Sequence, residues 1–100
     1  MILYRAMSLE ELDRTIRLGT ADFSEKRFKY FSPSIDFIKK RVQDGSFNNS
    51  KFKSGRYTHL VSFWIKEEDL SRCRVSRNEI EVDRRKNVKI SFIENRGDEK

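Results

Sequence analysis

One stretch limits the architecture more than any other. From Tyr57 to Ile65 the chain reads YTHLVSFWI. A strand alternates its side chains, so Tyr57, His59, Val61, Phe63 and Ile65 share one face. Thr58, Leu60, Ser62 and Trp64 share the other. Both faces are largely apolar, so the strand needs cover on each and is expected at the centre of a sheet. Trp64 is expected in the core. The chain has 100 residues, which is the size of one domain with one core.

The remaining elements are read around that strand. Ile2 to Met7 is a short apolar run, expected as a first strand, with Leu3, Arg5 and Met7 on one face. An arginine there needs a carboxylate, a strand end or a bound anion, and Glu11 or Glu81 can supply the pairing. Ser8-Leu9-Glu10-Glu11 has capping-box spacing, with Ser8 accepting from the Glu11 N–H and the Glu11 carboxylate reaching back. A helix follows, with Leu9, Leu12 and Ile16 as its apolar face and Gly19 at its end. Thr20 to Lys29 reads as a polar connection. Phe28 to Phe31 is an aromatic strand stopped by Pro33. Ser34 is a good N-cap for a second helix with Ile35, Ile38 and Val42 inward, stopped at Gly45. Gly45 to Arg56 reads as a long loop carrying Phe47 and Phe52. Lys66 to Arg72 is a helical turn, Glu79 to Val82 a strand and Val88 to Ile93 the last strand. The expected fold is α+β: a mixed or antiparallel sheet with two main helices in the N-terminal half. Residues 1–94 form a single domain and 95–100 a charged flexible tail.

Composition excludes several classes. A single cysteine, Cys73, rules out an intramolecular disulfide, and with one histidine, His59, no metal site is expected. No apolar run has the roughly 20 residues of a membrane helix, and the N-terminal run is too short and too soon acidic for a secretory signal. A cytoplasmic protein without membrane association is expected. Cys73 lies between Arg72 and Arg74, which lower a thiol pKa if close; a lone cysteine is otherwise a small buried hydrophobe. The net charge is +6, in short clusters at Lys26–Lys29, Lys39–Arg41, Lys51–Lys53, Arg72–Arg74 and Arg84–Lys86. Each is interleaved with acids nearby, so solvated faces are the default reading and an acidic partner the alternative.

Three features stand in a telling order: Leu3-Tyr4-Arg5 in the first strand, Phe31-Ser32-Pro33-Ser34 between a strand and a helix, and Asn78-Glu79-Ile80-Glu81-Val82 near the last strands. Spread over the chain from Tyr4 to Ile93, they resemble the arginine, serine and Glu-x-Glu class of ADP-ribosyltransferase-like domains. The middle motif departs from that family, with Pro33 in place of a threonine. The resemblance implies an ADP-ribosyltransferase-like fold that takes NAD as substrate. It implies Arg5, Ser32, Ser34 and Tyr30 as NAD-binding residues, with Tyr30, Phe31 or His59 offering a ring for nicotinamide. It implies Glu81 as the carboxylate that stabilises charge on the ribose, and Glu79 as the group that activates an acceptor. That acceptor can be protein or nucleic acid, and the role resembles that of a toxin or effector.

Two other functions fit the residues. A small basic RNA-binding module, or a metal-independent endoribonuclease, would grip a strand through Lys26–Lys29 and Lys51–Arg56 with Phe28, Phe47 and Phe52 interleaved. A non-catalytic interaction protein would keep the scaffold without the chemistry. Each motif also has a plain structural reading: strand-end punctuation for Ser32-Pro33-Ser34, and a charged edge strand for Glu79 and Glu81.

Overall fold

The computed structural model describes residues 1–24, 26–43 and 59–98. The loop expected from Gly45 to Arg56, with Phe47, Phe52 and the Lys51–Arg56 cluster, lies outside these, as do Tyr57 and Thr58.

Among the described residues, two α-helices and six strands make an α+β fold of two antiparallel three-stranded sheets. In chain order they are β1 (Ile2–Met7), α1 (Leu9–Leu18), β2 (Phe28–Phe31), α2 (Ile35–Gln43), β3 (His59–Trp64), β4 (Arg74–Val75), β5 (Ile80–Asp83) and β6 (Ser91–Asp98). One sheet has the order β1-β3-β6 and the other β2-β5-β4. Short 3-10 helices cover Glu67–Arg72 and Arg84–Lys86. The strand apolar on both faces is indeed central, flanked by β1 and β6. Among the described residues no helix is long and apolar enough to cross a membrane.

The main core lies between the sheets and under α1. Leu3, Met7, Leu12, Phe31, Val61, Phe63, Ile65, Ile80, Val82 and Ile90 are buried there. Phe31 of one sheet meets Phe63 of the other edge-on at 5.3 Å, a geometry that aromatic quadrupoles favour. A smaller core of Ala6, Ile38, Val42 and Leu60 seats α2 on the opposite face of β1 and β3. The sheets touch at one isolated bridge. Tyr4 N donates to Ser32 O at 2.7 Å, and Ser32 N donates to Tyr4 O at 2.9 Å.

Several expectations need correction. Trp64 is 49% exposed; it ends β3, where its face outruns the cover. Helix α1 buries Glu11, Leu12 and Thr15, not Leu9 and Ile16, which face solvent. Thr15 tolerates burial because its hydroxyl donates to Glu11 O within the same helix at 2.8 Å. The capping box is half formed: Ser8 Oγ accepts from Glu11 N, but the carboxylate is drawn inward. Gly19 does end the helix, at φ 72, the left-handed region that glycine enters without strain. Residues 95–98, the first part of the expected tail, belong to β6, with Asn95 and Asp98 paired to β3. Cys73 packs on the core. Burial and the nearby Asp69 push its thiol pKa up against the influence of Arg72, opposite to activation by flanking arginines.

Candidate functional site

Beside the Tyr4–Ser32 bridge, β1 and the free edge of β2 part. The gap is a pocket of about 270 Å³, lined by Arg5 and Ala6, by Lys26 and the four residues of β2, by Phe37, Ile38 and Arg41 of α2, and by Glu79. Alternation explains its walls. Lys29 and Phe31 point between the sheets, whereas Phe28 and Tyr30 face outward and stay exposed.

Behind this pocket lies a cluster of buried charges. Arg5 Nε donates to Glu11 Oε2 at 2.7 Å and Arg5 Nη2 to Glu11 Oε1 at 3.1 Å, the two-pronged pairing that the guanidinium plane suits. Lys29 Nζ donates to the same Oε2 at 2.7 Å. Arg5 Nη1 reaches across to the carbonyl of Tyr30 at 3.1 Å. Burial pushes the Glu11 pKa up, but Arg5 and Lys29 outweigh it and the net shift is down. Lys29 is also pushed down, first by burial and then by the Arg5 charge, against the pull of Glu11. Asp22 stands next in line. Burial raises it, but hydrogen bonds from Ser24, with Arg14 and Lys29, hold it at about 2. Among the described residues, no buried side-chain nitrogen or oxygen lacks a hydrogen-bond partner.

The site residues expected from sequence are brought together in part. Arg5, Tyr30 and Glu79 line the pocket. Glu81 faces Tyr30 across the β2–β5 pair and accepts a hydrogen bond from its hydroxyl at 2.9 Å; that bond, first among the causes, raises the Tyr30 pKa. Glu79 pairs with Arg41 at 3.4 Å. Ser32 is buried at the bridge, and its Oγ accepts from Ser34 N at 3.0 Å. Ser34 Oγ accepts from Phe37 N at 3.2 Å and so caps α2. Neither serine lines the pocket, and each oxygen serves the backbone as a turn or cap. His59 sits half-buried at the start of β3, away from the pocket lining.

Sequence reasoning named Glu11 only as a partner for Arg5, and Lys26, Lys29 and Arg41 only as members of basic clusters; Phe37 it passed over. The signal for Lys29 was present: it alternates with Lys29's neighbours Phe28 and Tyr30 and shares a face with the core residue Phe31. For Glu11 the signal was Arg5 itself, a charge in an apolar strand that needs a carboxylate, and of the two candidates it is Glu11 that pairs with it.

The pocket mixes four cations, Arg5, Lys26, Lys29 and Arg41, with one carboxylate, Glu79, and the rings of Phe28, Tyr30, Phe31 and Phe37. Surplus positive charge beside flat apolar walls suits a phosphate attached to an aromatic ring. Comparison of the chain with protein-family models, with curated proteins and with solved structures gave no match.

Proposed function

We propose that the pocket binds the nicotinamide half of NAD and that the chain transfers ADP-ribose to an acceptor. The observation that carries this reading is the meeting of Arg5, Tyr30 and Glu79 at one pocket, with Glu81 bound to the Tyr30 hydroxyl. Arg5 and Glu79 belong to the first and last of the three motifs; Tyr30 precedes the middle motif, whose serines lie outside the lining, as does Glu81.

The volume of about 270 Å³ is just below the usual range for ligand pockets, which starts at about 300 Å³. It suits a ring with its ribose, and leaves the adenosine half on the surface. Arg5 retains N–H bonds beyond those to Glu11 and Tyr30 O, since a guanidinium has five donors. These would hold a phosphate oxygen. The rings of Tyr30 and Phe28 offer apolar faces to nicotinamide. In the reaction, the bond from ribose C1′ to the nicotinamide nitrogen breaks, and its electron pair leaves with nicotinamide. Positive charge builds on the ribose, as in glycoside cleavage. The Glu81 carboxylate stabilises it, with Tyr30 fixing its position. An acceptor atom then bonds to C1′, and its proton passes to Glu79.

Glu81→Gln tests this directly, because the amide oxygen keeps an acceptor for Tyr30. NAD at 100 times its dissociation constant should stabilise the wild type by about 2.7 kcal/mol. The variant should keep that stabilisation while nicotinamide release falls about 100-fold or more. A wild type whose Tm ignores NAD, or a variant that releases nicotinamide at the wild-type rate, overturns the reading.

A further inference from the structure

We infer that the acceptor is single-stranded nucleic acid, guided to the pocket by a basic surface that the fold assembles from three separate segments. The inference of an acceptor rests on the transferase reading; the surface itself does not.

In sequence the positive charge looks scattered. In three dimensions three of its clusters meet. Arg84 N donates to Arg27 O at 2.7 Å, and Arg84 Nη1 donates to Phe23 O at 3.3 Å. Arg72 Nη1 donates to Lys86 O at 3.0 Å. These contacts tie the 3-10 helix Arg84–Lys86 to Lys26-Arg27 on one side and Arg72 on the other. Lys26, Arg27, Arg72, Arg84, Arg85 and Lys86 are all exposed. The carboxylates that pair within this group are Asp83, with Arg27, and Asp69, with Arg72. Six cations meet two pairing carboxylates here, with Glu67 and Glu68 also exposed on the turn that carries Arg72.

The surface runs into the pocket. Lys26 and Phe28 line the pocket wall, and the Arg27 guanidinium lies 4.7 Å from the Phe28 ring centroid. Phe28 and Tyr30 are both exposed on the outer face of β2. Two residues of strand rise set them about 6.6 Å apart, within reach of neighbouring unstacked bases. Cations that follow a backbone and rings that receive bases are the two components of single-strand binding. An acidic protein would use the charge but leave the aligned rings unexplained. On transfer, an oxygen or ring nitrogen of the strand bonds to C1′ as nicotinamide departs with the bonding pair, and the displaced proton goes to Glu79.

Fluorescently labelled single-stranded RNA and DNA of mixed sequence, titrated at several salt concentrations, test the surface. Both strands should bind at low salt. Arg84→Ala/Arg85→Ala/Lys86→Ala should weaken binding at least tenfold and flatten the log–log salt dependence by about 2, from some three phosphate contacts. A variant of equal charge, Lys40→Ala/Lys66→Ala/Arg77→Ala, should bind as wild type. Equal losses in the two variants, or no binding by wild type at low salt, overturn the surface. With labelled NAD, wild type should mark the strand, and the Arg84 variant should not while still raising its Tm with NAD. Binding of the strand without any NAD-induced rise in wild-type Tm would remove the transferase reading, and the acceptor role with it, but not the surface.

Discussion

Two carboxylate–arginine forks flank β2, and they behave as different objects. Glu11 faces Arg5 and Lys29 between the sheets, where side-chain exposure is 9, 11 and 5%. Asp83 faces Arg27 with nearly the same bond geometry, at 3.1 and 3.0 Å, but beside solvent. At the surface, water screens the pair and would replace its bonds if it broke. Inside, three charges have lost most of their water, and their mutual pairing, with the Arg5 bond to Tyr30 O, compensates the loss. A buried ion cluster of this kind is weak evidence for net stability, since an apolar trio of similar volume often does as well.

The largest expected effect comes from leaving the inner cations without their partner. Glu11→Gln should cost about 3–5 kcal/mol in urea unfolding. Replacing the whole cluster sharpens the point: Arg5→Met/Glu11→Leu/Lys29→Met should leave stability unchanged or raise it by about 1–4 kcal/mol, while any NAD-induced rise in Tm disappears. If this variant is as unstable as Glu11→Gln, the contrast between the forks is wrong.

Acid provides a gentler probe. The folded-state pKa of Glu11 lies below its ordinary 4.5, so its contribution is complete above pH 4.5 and is lost as pH falls through the lower, folded value. Asp22 follows, complete above 3.8 and lost towards about 2. Unfolding followed by circular dichroism should therefore show stability falling from pH 4.5 downward, with the Asp22 share lost below 3.8. Glu11→Gln should make that fall smaller. The smallest effect belongs to the outer fork. Asp83→Asn should barely move the Tm, and whatever change it makes should vanish in high salt.

Much of the fold was legible because it rests on local chemistry. Gly19, Pro33 and Ser34 mark element ends by backbone conformation or capping, and the doubly apolar β3 declares itself central. Where tertiary contacts override local pattern, legibility fails. Leu9 and Ile16 have the right spacing for burial, but α1 turns to deliver Glu11 to partners that lie six and eighteen residues along the chain. The charged run after Ile93 pairs as β6 because β3 has an edge to fill. At the site, Arg5 was conspicuous as a charge in an apolar strand. The joining of Arg27, Arg72 and Arg84 was invisible, since each cluster alone is an ordinary solvated group and only folding sums them.

The bridge between Tyr4 and Ser32 has one more consequence. Laid edge to edge, β4-β5-β2 and β1-β3-β6 would make a continuous six-stranded sheet, with β1 and β2 zipped in the middle. Two side chains arrest the zipper. On one side of the bridge Ser32 Oγ takes the Ser34 N–H, and Pro33 has none to offer. On the other side Arg5 Nη1 occupies the Tyr30 carbonyl, the acceptor that Ala6 of β1 would need next. The pocket is thus an unfinished seam, and Arg5 is the peg that keeps it from closing.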